Sequence, residues 1–256
     1  MIASFNSFQK SILLIFIFSF IYSLTAYSQN SNAADAEKYI PQSEYRVFRL
    51  GISGGMGFSW MKPKTDGYEK NGSTFSYSYG LLTDYNFTKN YTFSSGINFN
   101  RLGGKLKLPK YTKVVDSIGE GTIYRTYQIN SLEIPTLLKL KTNQIGYITY
   151  FAQLGLKHNF NLSSFANDEL HHGESVTSTK DIDMADFTTF YRVSINLGFG
   201  VEYALSQTLS AFAYLEYDNG LNSSLTKQKT NSNGELRSPN ENAFIRKFGV
   251  TFGLLF

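Results

Sequence analysis

The chain has 256 residues, of which 16% are aromatic and only 17% are charged, and it contains no cysteine. Disulfide bonds, thiolate metal sites and a lipid-modified N-terminal cysteine are therefore excluded. The formal net charge of +4 is small and the basic residues are scattered, so the composition does not indicate a nucleic-acid partner.

The first 28 residues have the pattern of a signal peptide. Lys10 is the only charged residue before the apolar run SILLIFIFSFIYSL at 11–24, and Ala26 and Ser28 are small residues where a signal peptidase would read them. Cleavage after Ser28 would leave 29–44 as a periplasmic N-terminal segment. An uncleaved anchor is the alternative, but the run is short for the roughly 20 residues of a membrane span. We therefore expect the chain to be exported.

From residue 45 onward the sequence alternates between apolar and polar residues, which is the period of a β-strand. In RVSINLGFGVEY at 192–203, the odd-numbered residues from Val193 to Tyr203 are apolar and the even-numbered ones are polar or glycine. The companion faces carry Gly, Ser, Thr and Asn, whereas a water-facing surface would carry mainly Lys and Glu. The apolar faces are thus expected to contact lipid. Eight such segments are predicted, at 45–60, 73–87, 90–102, 122–140, 144–161, 187–204, 208–218 and 243–256.

Short and long connections alternate strictly between these segments. The short ones are TKN, KTNQ and LSQT, and the other four are long and polar. Outer-membrane barrels have short periplasmic turns and long cell-facing loops, whereas a soluble sandwich has no reason to sort its connections. The prediction is an all-β fold: an eight-stranded antiparallel transmembrane up-and-down β-barrel over 45–256, in the cell outer membrane. Aromatic residues near the strand ends would form its interfacial girdle: Trp60, Tyr85, Phe87, Tyr91, Phe190, Tyr203 and Phe256.

An eight-stranded barrel is just wide enough for side chains to fill its interior, so a water-filled channel is not expected. The alternation places six charged residues inward, three of each sign. A buried charge requires a partner, so the balance predicts a salt-bridge network across the lumen. A gated proton or solute path is the alternative and would need a wider or movable interior. The six residues are Arg49, Asp84, Glu133, Lys157, Arg192 and Glu202.

No catalytic, cofactor-binding or metal site is predicted. His158 is the only strand histidine, and its next neighbour on the same face is Phe160, so a nucleophile beside it is missing. Ser163 or Ser164 could meet Glu169 in space, but no pattern demands it. Two loop groups, His171, His172 and Glu174, and Asp181, Asp183 and Asp186, lack a metal-binding pattern. Pro135 is expected to mark a bulge or local twist.

Three stretches carry a family resemblance: SLEIPTLLKLKTNQIGYITYFAQLGL at 131–156, SYGLLTDYNFTKNYTFSSGINFNRLGGKL at 78–106, and FGVTFGLLF at 248–256. From about residue 47 to its end the chain resembles the PorT-like outer-membrane β-barrel (porin family) proteins of the Bacteroidetes. The recurring signature LEIPLLLK is matched at Leu132 to Lys139, with Thr136 in place of a leucine. Phe256 resembles the C-terminal aromatic residue that barrel-assembly machinery recognises.

The resemblance implies a barrel without known catalysis, and in some members a role in gliding or type IX secretion. A binding or scaffold component is therefore the leading functional hypothesis, with a small porin-like channel and a lipid A-modifying enzyme as alternatives. The expected partners are outer-membrane lipid and lipopolysaccharide, barrel-assembly machinery, and secretion or gliding proteins. Residues in the long connections that could contact a protein are Tyr68, Tyr111, Phe165, Leu170, Leu221 and Leu236.

Overall fold

A computed structural model describes residues 44–108, 122–172, 175–226 and 242–256. The predicted signal peptide, nearly all of the segment 29–44, and Tyr111, Glu174 and Leu236 lie outside these residues. Apart from one 3-10 turn at Ala185–Phe187, the regular elements are strands. None of the helices in the described ranges is long and apolar enough to cross a membrane.

Eight antiparallel strands close into a ring in the order β1-β3-β4-β5-β6-β8-β9-β10, and β10 pairs with β1. Two shorter strands add to it, because β2 pairs with β4 and β7 with β6. The predicted eight-stranded antiparallel barrel is confirmed. The strands are β1 Phe48–Pro63, β2 Glu69–Lys70, β3 Ser73–Asn86, β4 Tyr91–Leu108, β5 Thr122–Lys141, β6 Ile148–His172, β7 Ser175–Asp183, β8 Tyr191–Ala204, β9 Ser210–Gly220 and β10 Ala243–Leu255.

The two ends of the ring differ. The short connections β3–β4, β5–β6 and β8–β9 lie at one end, which we call the turn end. The long connections lie at the other, the loop end. Burial alternates along each ring strand: on β1, Phe48, Leu50 and Ile52 are 46–55% exposed, whereas Arg49 is only 8% exposed. This arrangement, with apolar side chains outside and polar ones inside, is the reverse of that in a soluble protein. It is the arrangement expected of a barrel whose outer surface contacts lipid.

Strand β6 is longer than predicted because its alternation changes phase. A β-bulge shifts the β5–β6 register at Asn130 and Ser131, so that Leu162 is passed over on β6. One extra residue reverses which side chains face inward, and a strict period of two therefore ends there. Beyond the bulge, Ala166 is buried and β6 continues to pair with β5 up to His171.

Pro135 does not produce a bulge. The β4–β5 pairing skips two positions opposite Ile134 and Pro135 and resumes in the same register on either side. A proline has no N–H to donate, so the ladder is interrupted there without an inserted residue. Gly96 lies opposite this gap, with φ of +158°.

Inside the barrel the larger buried apolar cluster lies at the loop end, and a smaller one, Leu82, Phe212 and Leu255 with Tyr214 packed against them, lies nearer the turn end among the polar side chains. We call the buried apolar cluster of the loop end the plug. Its members come from five ring strands and from the connections above them. They are Met61, Tyr68, Leu102, Leu106, Leu108, Ile123, Tyr127, Ile129, Ala166, Met184, Leu225, Ala243 and Ile245, with Leu170, Ile182 and Phe187 packed against them.

Candidate functional site

The first cluster of lumen charges lies near the turn end. Arg49 Nη1 lies 3.3 Å from Glu202 Oε2, and Lys139 Nζ donates to Asp84 Oδ2 at 2.8 Å. Lys141 Nζ adds a second cation, 3.1 Å from Glu202 Oε1. These five residues, the turn-end cluster, come from four different strands, so their pairing joins distant parts of the wall.

A second group, the mid-lumen cluster, is centred on Glu216. Its two carboxylate oxygens accept hydrogen bonds from Lys157 Nζ and Lys247 Nζ, each at 2.6 Å. Lys157 Nζ also lies 3.0 Å from Asp218 Oδ2 and 3.8 Å from Glu133 Oε1. All five residues are at most 6% exposed. Ion pairs so well shielded from water are stable only when their remaining polar atoms are also bonded.

Arg192 differs from the other five predicted lumen charges. Its Nη2 donates to Ser131 Oγ at 3.0 Å, and its Nε is buried without a hydrogen-bond partner. No carboxylate of the described residues lies within 4.0 Å of its guanidinium. The structure therefore divides the other five between two clusters instead of joining all six in one network.

The sequence did not predict five further lumen charges: Lys139, Lys141, Glu216, Asp218 and Lys247. Lys139 lies an even number of residues from Glu133 on the same strand, so strict alternation from Glu133 would have found it. Glu216 shares an inward face with Phe212 on β9, where the presence of an aromatic residue obscures the polar face. The signal available in the sequence was the alternation itself, extended over the full length of each strand.

The space left between the side chains is small. One cavity of about 20 Å³ touches Glu133, Arg192 and Lys247, and another of about 20 Å³ touches Leu137, Lys139 and Tyr214. A cavity needs about 10–15 Å³ of such volume to hold one water molecule. At these two places the lumen beside the charges is thus filled by side chains, with room only for single waters.

At the loop end, β4 bends inward and touches β1 although β3 lies between them in the ring. The contact is made by Gly103 and Gly104: the Gly103 N–H donates to Ser59 Oγ at 2.9 Å. A Cβ on Gly104 would lie only 2.4 Å from the backbone nitrogen of Met61. Glycine is therefore required for this close approach, which narrows the barrel mouth over the plug.

An ion pair covers the plug. Arg125 Nε and Nη2 each donate to a different carboxylate oxygen of Asp168, both at 2.7 Å. The Arg125 guanidinium also lies 5.9 Å from the ring centroid of Tyr127, which is fully buried in the plug. A bidentate arginine pair is strong and geometrically specific, so it fixes β5 against β6 above the mouth.

The candidate enzymatic residues are not assembled into a nucleophilic site. His158 faces outward, where Nδ1 lies 2.7 Å from Tyr191 Oη and Nε2 lies 3.2 Å from Thr136 Oγ1. Ser164 is buried and accepts a hydrogen bond from Thr188 Oγ1, while Glu169 is exposed. Hydrogen bonding of His158 to two outward neighbours reduces the cost of placing polar atoms on an apolar wall. In the ranges the structure describes, no three His, Cys, Asp or Glu residues are grouped so as to hold a metal ion.

Strands β5, β6 and β7 continue beyond the last residue of β6 that pairs with β8, as part of the same sheet and with β5 still paired to β4, and we call this part the extension. The last β6–β8 pair is Phe160 with Tyr191, and β6 continues for a further twelve residues, roughly 40 Å of strand. The extension exposes Phe165 (36%) and Val176 (59%). Of the predicted protein-contact residues, Tyr68 and Leu170 instead pack in the plug, whereas Leu221 is 52% exposed.

Comparison with known proteins gives one family match. The family described as outer membrane protein beta-barrel domain matches residues 27–226. No curated protein matches the chain.

Several solved structures are similar in fold. One is Ail, the attachment invasion locus protein of Yersinia pestis, in complex with the heparin analogue sucrose octasulfate. It is 15% identical to this chain, the match covers 82% of this chain and 100% of that chain, and the TM-score is 0.34. Neisserial surface protein A is 11% identical over 80% and 96%, with a TM-score of 0.37. A major outer membrane protein from Thermus thermophilus is 11% identical over 82% and 100%, with a TM-score of 0.41.

Proposed function

Since the chain belongs to the outer membrane protein beta-barrel domain family, we propose that it is a non-conducting outer-membrane barrel that presents its extension to a partner protein at the cell surface. Short turns of such barrels face the periplasm and long loops face outward, which orients the extension away from the cell. The observation that carries the proposal is the closed lumen. Because a filled barrel cannot pass solutes, the extension is the part left to bind a partner.

Three layers close the lumen in series. The turn-end cluster, the mid-lumen cluster and the plug each fill the interior, and the cavities beside the charges have volumes of about 20 Å³. Every lysine of the two clusters is held by at least one carboxylate oxygen within 3.1 Å. A solute would have to separate buried ion pairs in order to pass, so the geometry argues against the porin-like alternative.

The first prediction is electrical. Purified barrels inserted in a planar bilayer are expected to show no steps of conductance above the leak of the bare membrane, because water cannot form a continuous column through the lumen. An open porin inserted in the same membrane serves as the positive control. Regular single-channel steps from this protein would contradict the proposal.

The extension has two features suited to a protein partner. Within the described residues β7 pairs only with β6, so its outer edge carries backbone groups that another extended segment could pair with. Phe165 and Val176 provide exposed apolar side chains on the same sheet. A secretion or gliding protein, as in PorT-like proteins of the Bacteroidetes, is the partner that we propose, and insertion by barrel-assembly machinery through Phe256 belongs to the same proposal.

The second prediction concerns this partner. A chromosomally tagged copy isolated from outer membranes in mild detergent is expected to retain a stoichiometric protein, identified by mass spectrometry. The double variant Phe165→Ser/Val176→Ser is expected to lose it, because the apolar contacts of the extension are removed. The matched control is Leu221→Ser, which changes a side chain that is 52% exposed at the end of β9. Equal recovery from both variants, or recovery of the barrel alone, would contradict a partner on the extension.

A further inference from the structure

The outward surface of the barrel is strongly basic on one side of the loop end. The residues are carried by β10, β1 and β4 and by the β1–β3 connection, which are neighbours around the wall. We call this surface the basic face. It consists of Lys62, Lys64, Lys70, Arg101, Lys105 and Arg246.

The basic face lies at the height of the outer membrane interface. Twelve residues separate Phe48, at the turn end of β1, from Trp60, and both are on the outward face. At about 3.3 Å per residue and a tilt of about 40°, this is roughly 30 Å across the membrane, slightly more than the apolar band of about 25 Å. Lys62 follows Trp60 on the same face, and Arg246 is the cross-strand partner of Trp60. The Lys70 ammonium lies 5.0 Å from the Trp60 ring.

Within the part of the chain that the structure describes, no carboxylate forms an ion pair with these cations. None of the six has a carboxylate oxygen within 4.0 Å among the described residues; of the two acids in the β1–β3 connection, Glu69 is paired with Lys107 at 3.0 Å and Asp66 is exposed. The Arg246 Nε is buried without a hydrogen-bond partner. On the strands that flank the basic face, two outward residues near it are uncharged: Asn130 is the partner of Arg101 on β5, and Tyr217 lies outward on β9. The charge is therefore concentrated on one side.

A groove in this face is suited to hold an anionic group. Pairing between β3 and β4 ends at Tyr77 and Arg101, and the strands separate above that pair. The resulting groove has a volume of about 420 Å³ and is lined by Arg101, Lys105, Gln128, Ser73 and Thr74 among others. Arg101 Nη2 donates to Gln128 Oε1, which holds the guanidinium at the groove. Arginine and lysine with hydroxyl and amide donors are the groups that bind phosphate oxygens.

We propose that the basic face binds the phosphate groups of an outer-leaflet lipid headgroup, with Arg101 and Lys105 as the principal contacts. A lipid phosphate lies in the plane of the interface, which is where Trp60 places these residues, and the apolar wall below the groove would accept the acyl chains. This site goes beyond the proposed partner function, because it lies on the membrane-embedded wall and not on the extension. Its failure and the failure of partner binding would therefore be observed separately.

The test uses the full barrel in nanodiscs of phosphatidylcholine doped with bisphosphorylated lipid A, and native mass spectrometry counts the lipid A molecules retained. Wild-type protein is expected to retain lipid A with an apparent affinity at least tenfold higher than the double variant Arg101→Glu/Lys105→Glu. The matched control is Lys89→Glu/Lys180→Glu, which makes the same change of charge at exposed sites away from the groove and is expected to bind like wild type. The milder pair Arg101→Gln/Lys105→Gln replaces the charge reversal if that variant does not fold.

Two further binding measurements identify the source of the phosphate. Lipid A without phosphates is expected to bind no better than phosphatidylcholine, and millimolar inorganic phosphate is expected to compete only weakly, since it lacks the acyl chains. Equal retention of dephosphorylated lipid A would overturn the phosphate contact. Full displacement by inorganic phosphate would overturn the lipid headgroup and indicate a soluble phosphate site. Unchanged binding by both groove variants would overturn the assignment to Arg101 and Lys105.

Discussion

Replacing Glu216 with Gln is expected to lower the free energy of unfolding by about 3–5 kcal/mol, the cost of leaving a buried charge without its partner. Lys247 has Glu216 as its only carboxylate partner within 4.0 Å among the described residues, at 2.6 Å, and Lys247 is 3% exposed. Lys157 loses its closest partner but keeps Asp218 at 3.0 Å. The stranded Lys247 ammonium is therefore the main source of the loss.

Unfolding by urea can be followed through the fluorescence of Trp60, the single tryptophan of the chain. The matched control is Glu69→Gln, which removes an exposed partner of Lys107 and is expected to change little, because surface ion pairs contribute little to stability. The double variant Glu216→Gln/Lys247→Met is expected to recover much of the lost stability, since it also removes the unpaired cation. If Glu216→Gln and Glu69→Gln unfold at the same urea concentration, the mid-lumen cluster does not stabilise the barrel.

The membrane class and the strand number of this fold could be predicted because both depend on local patterns. A strand that separates lipid from a lumen must alternate its side chains, and each of the eight ring strands does so in its sequence. The same alternation places Arg49, Asp84 and Glu133 on the inward face. Whether a side chain faces the lumen or the lipid is thus a local property. It follows from assigning alternate residues of a strand to opposite faces.

The partners of the lumen charges could not be predicted in this way. Lys157 and Glu216 are 59 positions apart in the chain, and they meet because the registers of β6, β8 and β9 bring them to one level of the barrel. Register depends on the turns and on the tilt of the strands, neither of which is visible in the alternation. The division of the charges into two clusters is therefore a tertiary property.

The plug could not be predicted from the sequence for a related reason. Tyr68 and Leu170 occur in polar surroundings that predict exposed loops, yet both pack against the buried cluster at the barrel mouth. Leu170 faces inward only because the bulge reverses the facing of β6, and Tyr68 is covered because β2 returns the connection to β4. A long connection that looks polar can thus contribute the residues that close a barrel.

Replacing Gly104 with Ala is expected to destabilise the barrel by about 1–3 kcal/mol, the usual cost of forcing additional atoms into a filled site. The new Cβ would lie 2.4 Å from the Met61 nitrogen and 3.0 Å from the Met61 Cβ, so β4 would have to move away from β1. Because this contact narrows the mouth over the plug, movement of β4 is also expected to loosen the plug. The larger Gly104→Val variant should then lose more stability than Gly104→Ala, while the two charge clusters below the plug still close the lumen.

The control for this substitution is Gly54→Ala on β1. The nearest atom to a Cβ at Gly54 belongs to the Phe252 ring at 3.6 Å, an ordinary contact. Alanine there should be neutral or slightly stabilising, because it restricts the unfolded chain more than glycine does. Urea unfolding followed by far-ultraviolet circular dichroism compares the two variants with wild type. If Gly104→Ala unfolds at the same urea concentration as Gly54→Ala, glycine is not required at the close approach of β4 to β1, and that contact does not stabilise the barrel.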